Sequence, residues 1–163
     1  MPKNSGMNLL EIYLNDHLAA ATGARELVKR AASSNRDRSY GAFLERLALA
    51  IEEDRNSLLE IMRRLEVGVD QLKVMGGWAA EKLGRFKLNG RLLGYSPLSR
   101  VVELEILGLG ITGKLALWRT LERLSAQKPA LAEVDLPDLV RRAESQLDEL
   151  ERQRLAAALE AFS

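Results

Sequence analysis

The chain has 163 residues, of which 47% are hydrophobic and 29% charged, and a formal net charge of +1. That length suits one domain with a sizeable core, and the near balance of 24 basic and 23 acidic residues argues against a sequence-independent nucleic-acid binder. The absence of cysteine excludes disulfides, thiolate metal sites and cysteine nucleophiles.

Residues 1–7 are polar and read as a loose end with no apolar core of signal-peptide length, which makes the cytoplasm the expected compartment. A first helix is predicted over about 8–32, started by Asn8 as N-cap with Glu11 three residues on. Two adjacent rows run along it. One is Leu9, Tyr13, Asp16, Ala20, Gly23 and Leu27; the other is Leu10, Leu14, His17, Ala21, Ala24 and Val28. Asp16 and His17, the only histidine, interrupt this apolar stripe, and the small residues after them thin its middle enough for a neighbouring backbone to come close.

The short polar stretch 33–38 predicts an antiparallel return into a second helix over about 39–66. Its stripe is Phe43, Leu47, Ile51, Asp54, Leu58, Ile61 and Leu65, with Arg55 alongside, so a carboxylate again falls inside an apolar row. The crossover at 67–96 is too long for a bare loop. It is expected to contain a short helix near Asp70 to Leu83 carrying Trp78 as a core residue, punctuated by Gly76, Gly77, Gly84, Gly90 and Gly94. Phe86, Leu88, Leu92, Leu93 and Tyr95 give it enough apolar bulk to cover the bundle or a partner.

Ser96 and Pro97 open a third helix over about 97–125. It is apolar on almost every side from Val101 to Trp118, which marks it as the most buried, while Glu103, Glu105 and Lys114 make it a poor membrane span. Its glycines Gly108, Gly110 and Gly113 also spell G-x-G-x-x-G after a β-branched run, the outline of a dinucleotide-binding turn. The helix start at Ser96-Pro97 and the lack of further readable strands weigh against that outline and for glycines inside a packed helix, set against the thin middle of the first. Asp135 caps a fourth helix over about 136–161 with the stripe Leu136, Val140, Ala143, Leu147, Leu150, Arg154 and Ala157.

Four long helices, two short loops and a long crossover between the second and third resemble the ferritin-like four-helix bundle, an all-α fold, over nearly the whole chain. The first helix, with Tyr13-Leu14-Asn15-Asp16-His17-Leu18-Ala19, is similar to that of bacterial families in a metal-free branch of that architecture. The resemblance implies where di-metal ligands would stand, namely at a Glu-x-x-His on each of two helices. Those places read Asp54-Arg55-Asn56-Ser57 and Ala143-Glu144-Ser145-Gln146, and the residue three before His17 is Leu14. Neither imidazole is there, so no standard di-metal site and no cofactor is expected.

The inward-looking polar residues Asp16, His17, Asp54, Arg55, Glu103, Glu105, Lys114 and Gln146 are therefore expected to reach solvent at stripe edges or to form a satisfied polar patch where the metal would sit. The functional expectation is a non-enzymatic structural or protein-interaction module, with no nucleic-acid or membrane partner. Family resemblance implies a homodimer paired through the first two helices. The alternative is a metal or small ligand held by Asp16, His17 and Glu103 or Glu105.

Overall fold

The computed structural model describes residues 8–76 and 94–163. The loose end 1–7 and the crossover residues Gly77, Trp78, Leu83, Gly84, Phe86, Leu88, Gly90, Leu92 and Leu93 lie outside them. The fold is all-α, with no strand among the described residues, so the G-x-G-x-x-G glycines sit within a continuous helix. None of the described helices is long and apolar enough to cross a membrane.

Four long helices carry the fold: α1 (Leu9–Ser34), α2 (Gly41–Arg64), α3 (Pro97–Leu124) and α4 (Leu136–Phe162). Local chemistry sets their starts. Asn8 is extended and its side chain accepts from the Leu10 amide, satisfying one of the orphan donors of the first turn. Ser96 and Ser99 form a reciprocal capping box around Pro97, and Asp135 caps α4 through the Asp138 amide. α2 starts at Gly41, two residues later than the pattern suggested, without a side-chain cap. Gly41 is required there: a Cβ would stand 2.7 Å from the Asn35 carbonyl oxygen and 2.9 Å from that of Arg36.

Side-chain pairings fix the directions. Arg25 meets Glu52 and Asn15 meets Gly68, so α1 and α2 run antiparallel. Arg30 meets Glu103 and Tyr13 meets Thr120, so α1 and α3 do too. Arg119 with Glu144 and Arg154 with Glu105 make α3 and α4 antiparallel, as Arg46 with Glu149 and Arg142 with Glu53 do for α2 and α4. The four form a ring in which α2 and α3 stand diagonally opposed and parallel. The connection between those two must therefore return along the molecule, about 36 Å for a 24-residue helix. Residues 71–76 begin that return as helix.

The core is aliphatic, built on Leu14, Leu18, Leu44, Leu58, Leu104 and Leu121, with Trp118 its largest fully buried side chain among the described residues. α3 supplies the largest share, although Leu98 and Leu109 face out. The α1 stripe is rotated from the expected one. Leu9, Asp16 and Ala20 are exposed, while Asn15 and Thr22 are buried in their place. That burial is tolerable because each polar group is satisfied by main chain: Asn15 donates to the carbonyls of Glu11 and Gly68, and Thr22 to that of Leu18.

Candidate functional site

The thin middle of α1 meets α3 at Gly110, where a Cβ would be in van der Waals contact with that of Ala24, at 4.0 Å; Gly108 turns to Leu150 on α4, and a Cβ on Gly113 would have nothing within 4 Å. A cavity of about 50 Å³ remains, floored by Ala20, Ala21 and Ala24 of α1 and Gly110 of α3. Ile51, Leu58 and Ile111 wall it, and Trp118 lines it as well. The polar lining comes from His17, Asp54, Arg55 and Lys114, one residue of α1, two of α2 and one of α3.

Lys114 and Asp54 form the strongest feature beside this cavity. The Lys114 ammonium donates to Asp54 Oδ2 and to Gln146 Oε1, both at 2.5 Å, and Gln146 Nε2 donates back to Asp54 Oδ2 at 2.9 Å. Asp54 is 2% exposed. Its other oxygen, Oδ1, has Arg142 Nη2 at 3.0 Å, but off the hydrogen-bond direction, so its charge is compensated without a donated proton. Burial pulls the Lys114 pKa below the ordinary lysine value; Asp54 opposes that pull and Arg142 adds to it. The Asp54 carboxylate is thus compensated by an ammonium and a guanidinium without an added ion, and Arg142 is shared with Glu53 on the surface.

His17 faces the cavity and packs edge-on against the Tyr13 ring at 4.6 Å. Desolvation lowers its pKa below 6.5, against the opposing charge of Asp16. Asp16 itself turns outward to Lys73, 2.8 Å away. Arg55 donates through Nε to Thr22 Oγ1 at 3.3 Å and has no carboxylate within ion-pair distance among the described residues. Burial and the nearby Arg25 lower its pKa, and Glu52 partly offsets them.

The remaining candidates lie elsewhere. Glu103 is buried and binds Arg30 at 3.2 Å, and its Oε2 accepts from the Tyr95 hydroxyl at 3.0 Å. Glu105 faces solvent beside Arg154. The eight residues therefore divide. Asp54, Lys114 and Gln146 bond together, His17 and Arg55 share their cavity, and Asp16, Glu103 and Glu105 are apart from it. No three His, Asp or Glu side chains among the described residues converge as metal ligands would.

Glu103 belongs to a second polar cluster that periodicity did not reveal. Asn35, fully buried, donates to the Tyr95 hydroxyl at 2.7 Å and accepts from Arg100 Nε at 2.6 Å. Arg100 is 1% exposed. Its guanidinium lies 4.5 Å over the Tyr40 ring, with Nη1 3.2 Å from Glu160 Oε2 but outside hydrogen-bond geometry. Tyr40 donates to the same Glu160 oxygen at 3.1 Å. This cluster ties the α1–α2 turn, the residue that leads into α3 and the end of α4 into one knot. The sequence signal for it was an arginine on the buried face of the apolar third helix.

Compared with protein-family models, curated proteins and solved structures, the chain matches none.

Proposed function

We propose that this chain is a ferritin-like four-helix bundle that works without a metal, as a non-enzymatic structural or protein-interaction module that pairs with a second copy of itself. The observation that carries this reading is the place of Lys114. In a di-metal bundle the inward carboxylates neutralise metal cations. Here the one buried carboxylate between α2, α3 and α4 already has an ammonium at 2.5 Å and a guanidinium at 3.0 Å. A divalent ion added there would meet two positive charges and one negative one, so the donor set does not fit a di-metal centre. The antiparallel neighbours and parallel diagonal of the helix ring support the ferritin-like reading.

The pairing rests on the surface. Leu155, Leu159 and Phe162 project from the last turns of α4 at spacings of four and three, and the last two are each 71% exposed. A row at that spacing lines one helix face and can pair with its own copy about a two-fold axis. The proposed contact lies on α4, where the family resemblance implies the first two helices.

Elemental analysis of protein purified without chelators, together with sedimentation velocity, tests both parts. Sub-stoichiometric iron, manganese and zinc with a dimeric species support the reading. A stoichiometric metal overturns the first part, and a monomer at high micromolar concentration overturns the second.

A further inference from the structure

The cavity beside His17 carries more than a packing defect requires. Its floor and walls are alanine, glycine, leucine and isoleucine, which are indifferent to charge. Its polar lining is cationic in balance. Asp54 is spent on Lys114, Gln146 and Arg142, whereas Arg55 has no carboxylate partner among the described residues. Glu52, one turn before Arg55 on α2, stands between Arg25 and Lys29 at 3.7 and 3.6 Å. Trp118 lines the same cavity through its ring, its indole N–H being buried away from it.

We propose that this cavity is a binding site for a short aliphatic carboxylate, its oxygens taken by the Arg55 guanidinium and its hydrocarbon end by Ala20, Ala21 and Ala24. A planar guanidinium suits a planar carboxylate, which it can hold through two parallel hydrogen bonds. The volume of about 50 Å³ has room for roughly three to five water-sized atoms, which is the size of acetate or propionate. His17, held neutral by its burial, adds an uncharged polar edge. Nothing in this site depends on the absence of a metal or on self-association.

The test is a titration of the 15N-labelled full-length chain with sodium acetate and sodium propionate, with sodium chloride holding ionic strength constant. The indole N–H resonance of Trp118, assigned through Trp118→Phe, is followed together with calorimetry. The expected result is a saturable shift with millimolar affinity. Arg55→Gln should weaken binding at least about tenfold by calorimetry, while Arg38→Ala, in the α1–α2 turn away from the cavity, leaves it unchanged. Arg55→Gln keeps a polar side chain, and a circular dichroism melt confirms that each variant is folded. A linear, non-saturating shift, an undiminished affinity in folded Arg55→Gln, or equal competition by chloride overturns the proposal.

Discussion

Lys114 Nζ and Asp54 Oδ2, 2.5 Å apart, join the two helices that stand diagonally across the ring. The bond crosses the middle of the fold, where hydrocarbon would otherwise be expected. Gln146 closes the triangle from α4. The arrangement follows from desolvation: a charge this buried must be compensated at close range.

Removing one side of this pair is expected to cost far more than removing both. Lys114→Met leaves a buried carboxylate with only Arg142 and Gln146, and should destabilise the protein by about 3 kcal/mol. The double variant Asp54→Leu with Lys114→Met should recover most of that loss, because neither charge then needs compensation. Urea unfolding of the four proteins in the cycle checks this. Additive losses would show that the pair is not coupled.

Arg100 should resist conservative replacement. Its Nε bonds Asn35, its Nη1 lies by Glu160, and its plane stacks on Tyr40, which an ammonium cannot reproduce together. Arg100→Lys is expected to lose about 2 kcal/mol and Arg100→Met about 3 kcal/mol or more, since the latter leaves Asn35 Oδ1 buried without a donor. Thermal or urea denaturation measures both. A lysine variant as stable as the parent would assign the role to charge alone.

His17 predicts a pH dependence. Its folded pKa lies below the unfolded value of 6.5, so between the two the unfolded chain binds more protons. Stability from this residue is therefore complete above about pH 6.5 and falls as the pH drops through that value towards the folded pKa. One proton sets a ceiling on the slope of about 1.4 kcal/mol per pH unit. The urea midpoint of the parent minus that of His17→Gln, taken from pH 5 to 8, isolates the contribution. A difference that does not change with pH would remove His17 as its source.

Asn15 should act locally. It donates to the carbonyls of Glu11 and Gly68 and accepts from the Asp70 amide at 2.6 Å, which staples the chain leaving α2 onto α1. Asn15→Ala is expected to cost about 1–3 kcal/mol. In hydrogen exchange the Asp70 amide should lose protection well before the core of α3 does. Equal loss at both would mean that the staple is part of the global unfolding unit.

Much of the helical class was legible because four apolar stripes with the 3.6-residue period are physically costly to bury any other way. Asp54 was readable for the same reason, as a carboxylate inside a clean stripe on α2. The face of α1 was not. Its stripe contains Ala20, Ala21, Gly23 and Ala24, which discriminate weakly between inside and outside, and its true core positions include Asn15 and Thr22, whose burial is enabled by main-chain partners that periodicity does not show. Glu103 was grouped with Asp16 and His17 because all three break apolar rows. The register that puts Arg30 on Glu103 and Tyr13 on Thr120 instead sets His17 level with Leu117 and Trp118, which line its cavity. Arg100 on the apolar third helix is a signal by itself, but Asn35, 65 positions away in a polar turn, carries no local pattern that pairs the two.

The parallel diagonal between α2 and α3 has a consequence for assembly. α1 with α2, and α3 with α4, are two hairpins, each closed by a short turn and held largely by sequence-local contacts. The tether joining them is pinned near each end, by Asn15 and Lys73 at its start and by Tyr95 at its finish. Releasing those pins separates the hairpins along one seam while leaving each intact. Two chains that traded hairpins across that seam would rebuild every interface already present, at no cost in new surface. Such an exchanged pair would keep the contacts between the hairpins that the described residues make, and its mass would tell it from two monomers.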